Sequence, residues 1–286
     1  RMILAIASGK GGTGKTTVAV NLARVLRSRA WLLDCDVEEP NAGLFLKTSR
    51  RTEEIVSLPV PEVDEARCDG CGECGKFCAY HAIVSFGTIP LVFPSMCHGC
   101  GGCVRVCPRK AIRETSRRLG VVVSSKSRGI TLIEGRLDVG ESLSPPLIRA
   151  VKAGLPAGRP AILDAPPGTS CPVVAAVRGA DHVLLVTEPT PFGLYDLRLA
   201  VDLVRELGLP YSVVVNRIGT GDNRVQEYCA GKKIPVVLEI PDDRRIAEAY
   251  SRGRLIVETL PEYRALFERL AEKLFSADGE RCGLEP

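Results

Sequence analysis

"SGKGGTGKTT", Ser8 to Thr17, closes the apolar run "MILAIAS" and opens the helical pattern "KTTVAVNLARVLRSR". Gly9 through Thr16 satisfy G-x-x-x-x-G-K-[ST], between an expected strand and an expected helix. Glycines at these positions let the backbone curl with its N–H groups aimed inward at phosphate, and the helix start adds partial positive charge. Lys15 is placed for the β- and γ-phosphates, and the Thr16 hydroxyl suits Mg²⁺. The nucleotide set read here is Gly9, Lys10, Gly11, Gly12, Thr13, Gly14, Lys15, Thr16 and Thr17. The bland alternative, a flexible Gly-rich turn, would not need a strand before it and a helix after it.

Outward from this loop, "WLLDCD", "AILDAPPG", "HVLLVTEP", "YSVVVNR" and "PVVLEIP" are apolar on both faces, as buried parallel strands are. Helical segments such as "LYDLRLAVDLVRELG" and "EYRALFERLAEKLF" alternate with them. The alternation predicts an α/β fold with a doubly wound, mostly parallel sheet. "GVVVSS" and "GITLIEG", around Ser127–Arg128, read as a hairpin. Residues 60–114 break the pattern, starting in Pro-rich "LPVPEVDEAR" and ending in basic "PRKAIRETSRR". The expected organisation is an α/β domain over 2–59 and 115–286, interrupted by a small inserted α+β domain over 60–114.

That insert carries "CDGCGECGKFCAYHAI" from Cys68 and "CHGCGGCVRVCPRKAI" from Cys97, a duplication 29 residues apart. Both copies read C-x₂-C-x₂-C-x₃-C and share glycines at 70/99 and 72/101. The spacing is that of bacterial two-cluster ferredoxins, in which the fourth cysteine of each run ligates the other cluster. Cys68, Cys71, Cys74 and Cys107 are accordingly assigned to one [4Fe–4S] cluster, and Cys97, Cys100, Cys103 and Cys78 to the second. Pro108 matches the C-P ending of that pattern, while Ala79 departs from it in the first copy. Two Cys₄ zinc sites are the alternative, but zinc sites usually pair two separated cysteine hooks. His81 and His98 lie inside the insert and read as hydrogen-bond donors with a lesser prospect of tuning a cluster. Cys35, Cys171, Cys229 and Cys282 have no partner spacing and read as packing residues.

Lys10 is a second lysine that an ordinary phosphate loop does not need. With it the loop resembles the deviant Walker A motif of the MinD/ParA/nitrogenase-iron-protein superfamily. That resemblance implies an ATP-dependent homodimer in which Lys10 reaches the partner's nucleotide. It also makes "LLDCDVEEPN" similar to switch I, with Asp36 orienting water beside Mg²⁺, and "LDAPPG" similar to switch II, with Asp164 near Mg²⁺ through water. Taken singly, either aspartate also has a bland, minority reading as a strand-end carboxylate capping a helix, which the order and spacing of the motifs weaken. Lys10, Lys15, Asp36 and Asp164 form the implied catalytic set, and Thr16, Asp36 and Asp164 the magnesium set. "VVVNR" puts Asn216 where adenine is recognised; guanine readers carry N-K-x-D, and the fourth position here is Gly219, so ATP is expected over GTP.

A chain of 286 residues with 45% hydrophobic and 25% charged residues has the composition of a soluble globular protein. Its net charge of +4 implies no whole-surface attraction to nucleic acid or membrane. Arg1 precedes Met2, which reads as the start. Twelve cysteines without an export signal point to metal rather than disulfides and to a cytoplasmic location. Three functions compete on this reading. The first is ATP-gated electron transfer from the clusters to a redox partner, with nucleotide binding and hydrolysis coupled to cluster state. The second is an iron–sulfur or metal carrier serving a client protein, and the third a positioning ATPase on membrane or DNA. Eight thiolates in one chain favour retained clusters. The stripe Leu266, Leu270 and Leu274, with Phe267 and Phe275, reads as a core face rather than an anchor. Membrane and nucleic acid are therefore not expected as partners.

Overall fold

The computed structural model describes residues 2–26 and 31–275, so Arg1 and Cys282 lie outside the described residues. In chain order the elements begin with β1 (Ile3–Ala7), α1 (Lys15–Leu26), β2 (Trp31–Asp34), α2 (Ala42–Leu46) and β3 (Ser49–Val63). Then come α3 (Glu73–Phe77), β4 (Ile83–Val84), β5 (Leu91–Val92), α4 (Gly102–Val106), β6 (Ile112–Ser127) and β7 (Ile130–Leu137). The remainder alternates: α5 (Pro145–Ala153), β8 (Ala161–Asp164), α6 (Cys171–Val177), β9 (His182–Thr187), α7 (Pro191–Glu206) and β10 (Tyr211–Ile218). It ends in α8 (Arg224–Gly231), β11 (Val236–Pro241), α9 (Arg244–Ser251), α10 (Ile256–Thr259) and α11 (Pro261–Phe275).

The sheet runs β11-β10-β9-β1-β8-β2-β7-β6-β3. From β11 to β7 every neighbouring pair is parallel. Strands with helices against both faces have no polar side, which is why β1, β8 and β9 carry no alternating pattern and are buried along their length. The order reverses at β1, whose neighbours β8 and β9 both come much later in the chain, and ligands of such sheets bind beyond the carboxyl ends of the strands. The register brings Asp34 of β2 level with Asp164 of β8, and Ile6 of β1 level with that same aspartate. Two carboxylates therefore end adjacent strands beside the phosphate loop.

α11 is a core helix. Phe267 and Leu270 are buried among Leu22, Leu26 and Ile256, with Leu266, Leu274 and Phe275 packed against that cluster. Among the described residues no helix is long and apolar enough to cross a membrane.

The chain divides into two compact units. One contains residues 1–53, 122–136 and 148–286; the other contains residues 54–121 and 137–147. Residues 60 and 114 fall inside β3 and β6, two strands of 15 and 16 residues. Pro59 and Pro61, read as the Pro-rich start of the insert, lie within the first of these strands. β3 is the last strand of the sheet order, where a residue without an N–H costs no ladder bond on its open side. The second unit is built on the duplication. α3 and α4 start 29 residues apart, each behind a left-handed glycine, Gly72 (φ 80°) and Gly101 (φ 67°). No side chain is tolerated at low cost at that φ, and the turn it makes swings the flanking cysteines toward one side.

Candidate functional site

At the end of β1 the loop Gly9–Gly14 passes directly against α7. A Cβ on Gly9 would lie 2.1 Å from the Asp196 carbonyl oxygen, so only glycine lets the loop lie this close to the helix. Lys15 is buried at the start of α1, and the buried Thr13 hydroxyl has no hydrogen-bond partner among the described residues. The Asn216 amide at the end of β10 donates to the Thr13 carbonyl at 2.9 Å, tying the loop to the far strand. This is where the structure places the residue read for adenine recognition.

Two carboxylates, Asp36 and Asp164, lie against Lys15, and Asp164 also lies against Thr16. Asp164 is fully buried and its carboxyl is pushed up to about 7, chiefly by burial, against the lowering effects of Thr16 and Lys15. The Thr16 hydroxyl lies beside it, yet neither Asp164 oxygen has a regular hydrogen bond among the described residues. A buried carboxylate with four free lone-pair sites next to a hydroxyl is a donor set that suits hydrated Mg²⁺. Asp36 is half-buried and raised to about 6 by burial, with Lys15 pulling the other way. Thr16, Asp36 and Asp164 are the side chains that would hold such an ion, which when bound would polarise phosphate oxygens.

Asp34 is a residue the sequence reading passed over. Its carboxylate accepts from the Asp36 N–H at 3.1 Å and from the Asn41 and Ala42 N–H groups at 3.0 Å each. It therefore shapes the loop that presents Asp36. Burial and the neighbouring Asp164 hold its own carboxyl well above the usual carboxylate range. The available signal was position, since an aspartate at the last residue of a buried strand must find donors or neutralise.

Glu188 was also passed over. It is buried at the end of β9 and takes Lys10 at 3.2 Å and Arg217 at 2.5 Å. Within one chain, then, the second lysine of the loop rests on an internal carboxylate.

The second unit gathers the eight cysteines of the duplication around two cavities. Cys68, Cys71, Cys74 and Cys107 line one, with Asp69, Arg109 and Ile112. Cys97, Cys100, Cys103 and Cys78 line the other, with Phe77, Tyr80 and His98. Each cavity takes three thiols from one copy of the repeat and the fourth from the other. Backbone N–H groups point at sulfur in matching places. Ala82 donates to Cys78 Sγ at 3.3 Å and Ala111 to Cys107 Sγ at 3.2 Å. His81 (φ 51°) and Lys110 (φ 49°) make the same left-handed step just before. Each such N–H sets the positive end of a backbone dipole against a sulfur. Among the described residues no three His, Cys, Asp or Glu side chains converge on one ion-sized point.

The remaining predicted residues are scattered. Cys35 is buried beside Asp34, which together with burial pushes its thiol well up. Cys229 is buried and raised to about 11, and Cys171 is exposed at the start of α6. The basic run after Cys103 is largely neutralised: Arg109 pairs with Asp69, Arg113 with Glu62, Arg117 with Glu141 and Arg118 with Asp138.

Residues 4–256 match the CobQ/CobB/MinD/ParA nucleotide binding domain family. An uncharacterized protein of Methanocaldococcus jannaschii is 33% identical over 263 residues, covering 88% of this chain and 90% of that protein. The iron-sulfur cluster carrier protein of Pyrococcus horikoshii is 27% identical over 291 residues, covering 95% of this chain and 84% of that protein. In fold, the chain is similar to the septum site-determining protein MinD of Pyrococcus horikoshii, with a TM-score of 0.59 and 21% identity, covering 97% of each chain. Strand order, phosphate loop and sequence relatives agree: the chain belongs to the CobQ/CobB/MinD/ParA family of P-loop ATPases.

Proposed function

We propose that this chain is an ATP-binding and ATP-hydrolysing iron–sulfur protein in which residues 60–114 form a ferredoxin-like insert holding two [4Fe–4S] clusters. The observation that carries the reading is the crossed gathering of cysteines, three plus one around each of two cavities. When bound, the clusters supply one-electron chemistry, and the chain's own part is to hold them with eight thiolates and aimed N–H groups. Nucleotide state is coupled to the clusters, and the output is electron delivery to a partner protein. In that scheme Lys15 and the loop amides bind the phosphates, Thr16, Asp36 and Asp164 serve Mg²⁺, and Asn216 meets adenine. Lys10 leaves Glu188 to reach the nucleotide of a second copy, so that ATP drives dimerisation. Support for Lys10 as a movable residue is its partial exposure, 32% of the side chain, against 9% for Glu188.

A second reading, cluster delivery to a client, draws on the names of relatives. The Pyrococcus abyssi relative, 28% identical over 302 residues, is likewise an iron-sulfur cluster carrier protein. Interlocked ligand sets weigh against it, because releasing either cluster opens both copies of the repeat. Anaerobic protein assayed for iron, sulfide and ATP hydrolysis tests the shared core of the two readings. Close to eight irons per chain is expected, and iron near two per chain with no sulfide would replace clusters by zinc-like single-ion sites. Mixing loaded protein with a cluster-free acceptor then separates them, since retained clusters stay with this chain.

A further inference from the structure

The duplication extends beyond the cysteines. Asp69 and His98 occupy equivalent positions, each directly after the first cysteine of its copy, and Tyr80 and Arg109 are equivalent too, each two residues after the last. The structure pairs them across the copies. Arg109 Nε donates to Asp69 Oδ2 at 2.8 Å, and both residues line the Cys68/71/74/107 cavity. Tyr80 and His98 stack face to face, with ring centroids 3.6 Å apart and planes 8° from parallel, and both line the Cys78/97/100/103 cavity. The same two positions thus close both sites, once with an ion pair and once with an aromatic stack.

The two closures differ in kind. The ion pair is exposed, with 63% of the Arg109 side chain and 37% of Asp69 open to solvent, so salt screens it. The stack is exposed as well, with Tyr80 47% open to solvent, but its contact is apolar and dispersive, which salt does not weaken. Asp69 also accepts from the Cys71 N–H at 3.2 Å, so its lid is tied to one of the thiols it covers. His98 lies next to Cys97, in a cavity that Phe77, Val60 and Ala82 keep largely apolar.

We propose that the Asp69–Arg109 pair and the Tyr80–His98 stack are lids of unequal character that make the two cluster sites unequally accessible: the first opens with ionic strength and the second does not. This rests on the iron–sulfur reading above and deepens it. Both clusters stay with the chain, but the Cys68/71/74/107 site becomes the one that solvent and small chelators reach faster as ionic strength rises, and an ionic partner surface able to compete for Asp69 or Arg109 approaches that cluster more closely than the other.

The test uses the loaded full-length chain under anaerobic conditions and follows iron loss to bipyridyl, an uncharged chelator whose own encounter rate is indifferent to salt. Iron content is measured first. A wild-type chain that takes up no clusters overturns the iron–sulfur reading itself. In a loaded chain two phases of about four irons each are expected, and raising salt from about 0.05 M to about 1 M should speed only one, by roughly twofold to fivefold. Asp69→Ala should speed that same phase at low salt and remove its salt dependence. Arg109→Gln, which spares the Asp69–Cys71 bond, should do likewise. His98→Ala should speed the other phase by roughly threefold to tenfold at every salt concentration, whereas Tyr80→Phe, which keeps a stacking ring, should leave it unchanged. The paired exchange Asp69→His with Arg109→Tyr should make both phases salt-insensitive. Full iron loading with both phases responding equally to salt, or with each lid variant moving both phases alike, overturns the lids while leaving the clusters in place.

Discussion

Asp164 has a folded-state carboxyl raised to about 7 and an unfolded value near the ordinary carboxylate range of about 4. Without Mg²⁺ the folded chain therefore binds a proton that the unfolded chain has released. Its contribution to stability is complete below about pH 4 and is lost as the pH rises through about 7. Nucleotide-free protein should melt progressively lower across that window, and Asp164→Asn should flatten the trend. Scans with Mg²⁺ and ATP should show the opposite slope, because the ion favours the charged carboxylate. A melting temperature equally pH-dependent in wild type and variant would remove Asp164 as the group responsible. Lys10 gives a second expectation at this scale. Lys10→Ala should bind ATP nearly as tightly as wild type, since Lys15 and the loop amides remain, yet hydrolyse it at least about a hundredfold more slowly. Sedimentation with ATP should find it monomeric. An ATP-bound dimer of normal strength in the variant would end the role across two chains.

Among the elements, α3 and α4 are the same device used twice. Each follows a left-handed glycine, spans five residues and carries one buried thiol, Cys74 or Cys103. They pack on each other closely enough that a Cβ on Gly102 would lie 1.9 Å from the Phe77 ring. The crossing of the fourth cysteines depends on that packing. Replacing Cys107 with serine should therefore damage the cluster of Cys68, Cys71 and Cys74, although Cys107 belongs to the other copy. Spectroscopy of the anaerobic variant should show that cluster converted or lost and the other intact. The reverse pattern would mean that each copy serves its own cluster.

In the whole molecule, the cysteine-bearing unit leaves the chain after Asp36 and returns before Asp164, so its roots lie between the two carboxylates proposed to serve Mg²⁺. ATP should shift the cluster potential, and cluster oxidation state should alter ATP affinity to the same extent. Coupling of about 1–3 kcal/mol corresponds to roughly 40–130 mV for a one-electron couple. The potential is expected to fall, since nucleotide adds negative charge. Redox titration with and without a non-hydrolysable analogue measures it, and equal potentials would leave the cysteine-bearing unit uncoupled from the ATPase.

The sequence alone determined the parts whose physics is local. A phosphate loop is a run of glycines with a lysine between a strand and a helix, and the cysteine duplication is a spacing, so both patterns could be read from adjacent residues. Apolar runs gave the parallel sheet because buried strands need no polar face. Tertiary structure decided everything that depends on residues distant in the chain. Asp34 and Asp164 became a coupled buried pair only when β2 and β8 were set in register, which no local pattern encodes. Lys10 met Glu188 across 178 positions, and four arginines of the basic run after Cys103 each found a carboxylate elsewhere. The two cysteine copies are identical in spacing. Their lids became an ion pair in one site and an aromatic stack in the other only because folding crossed the copies, joining Asp69 to Arg109 and Tyr80 to His98.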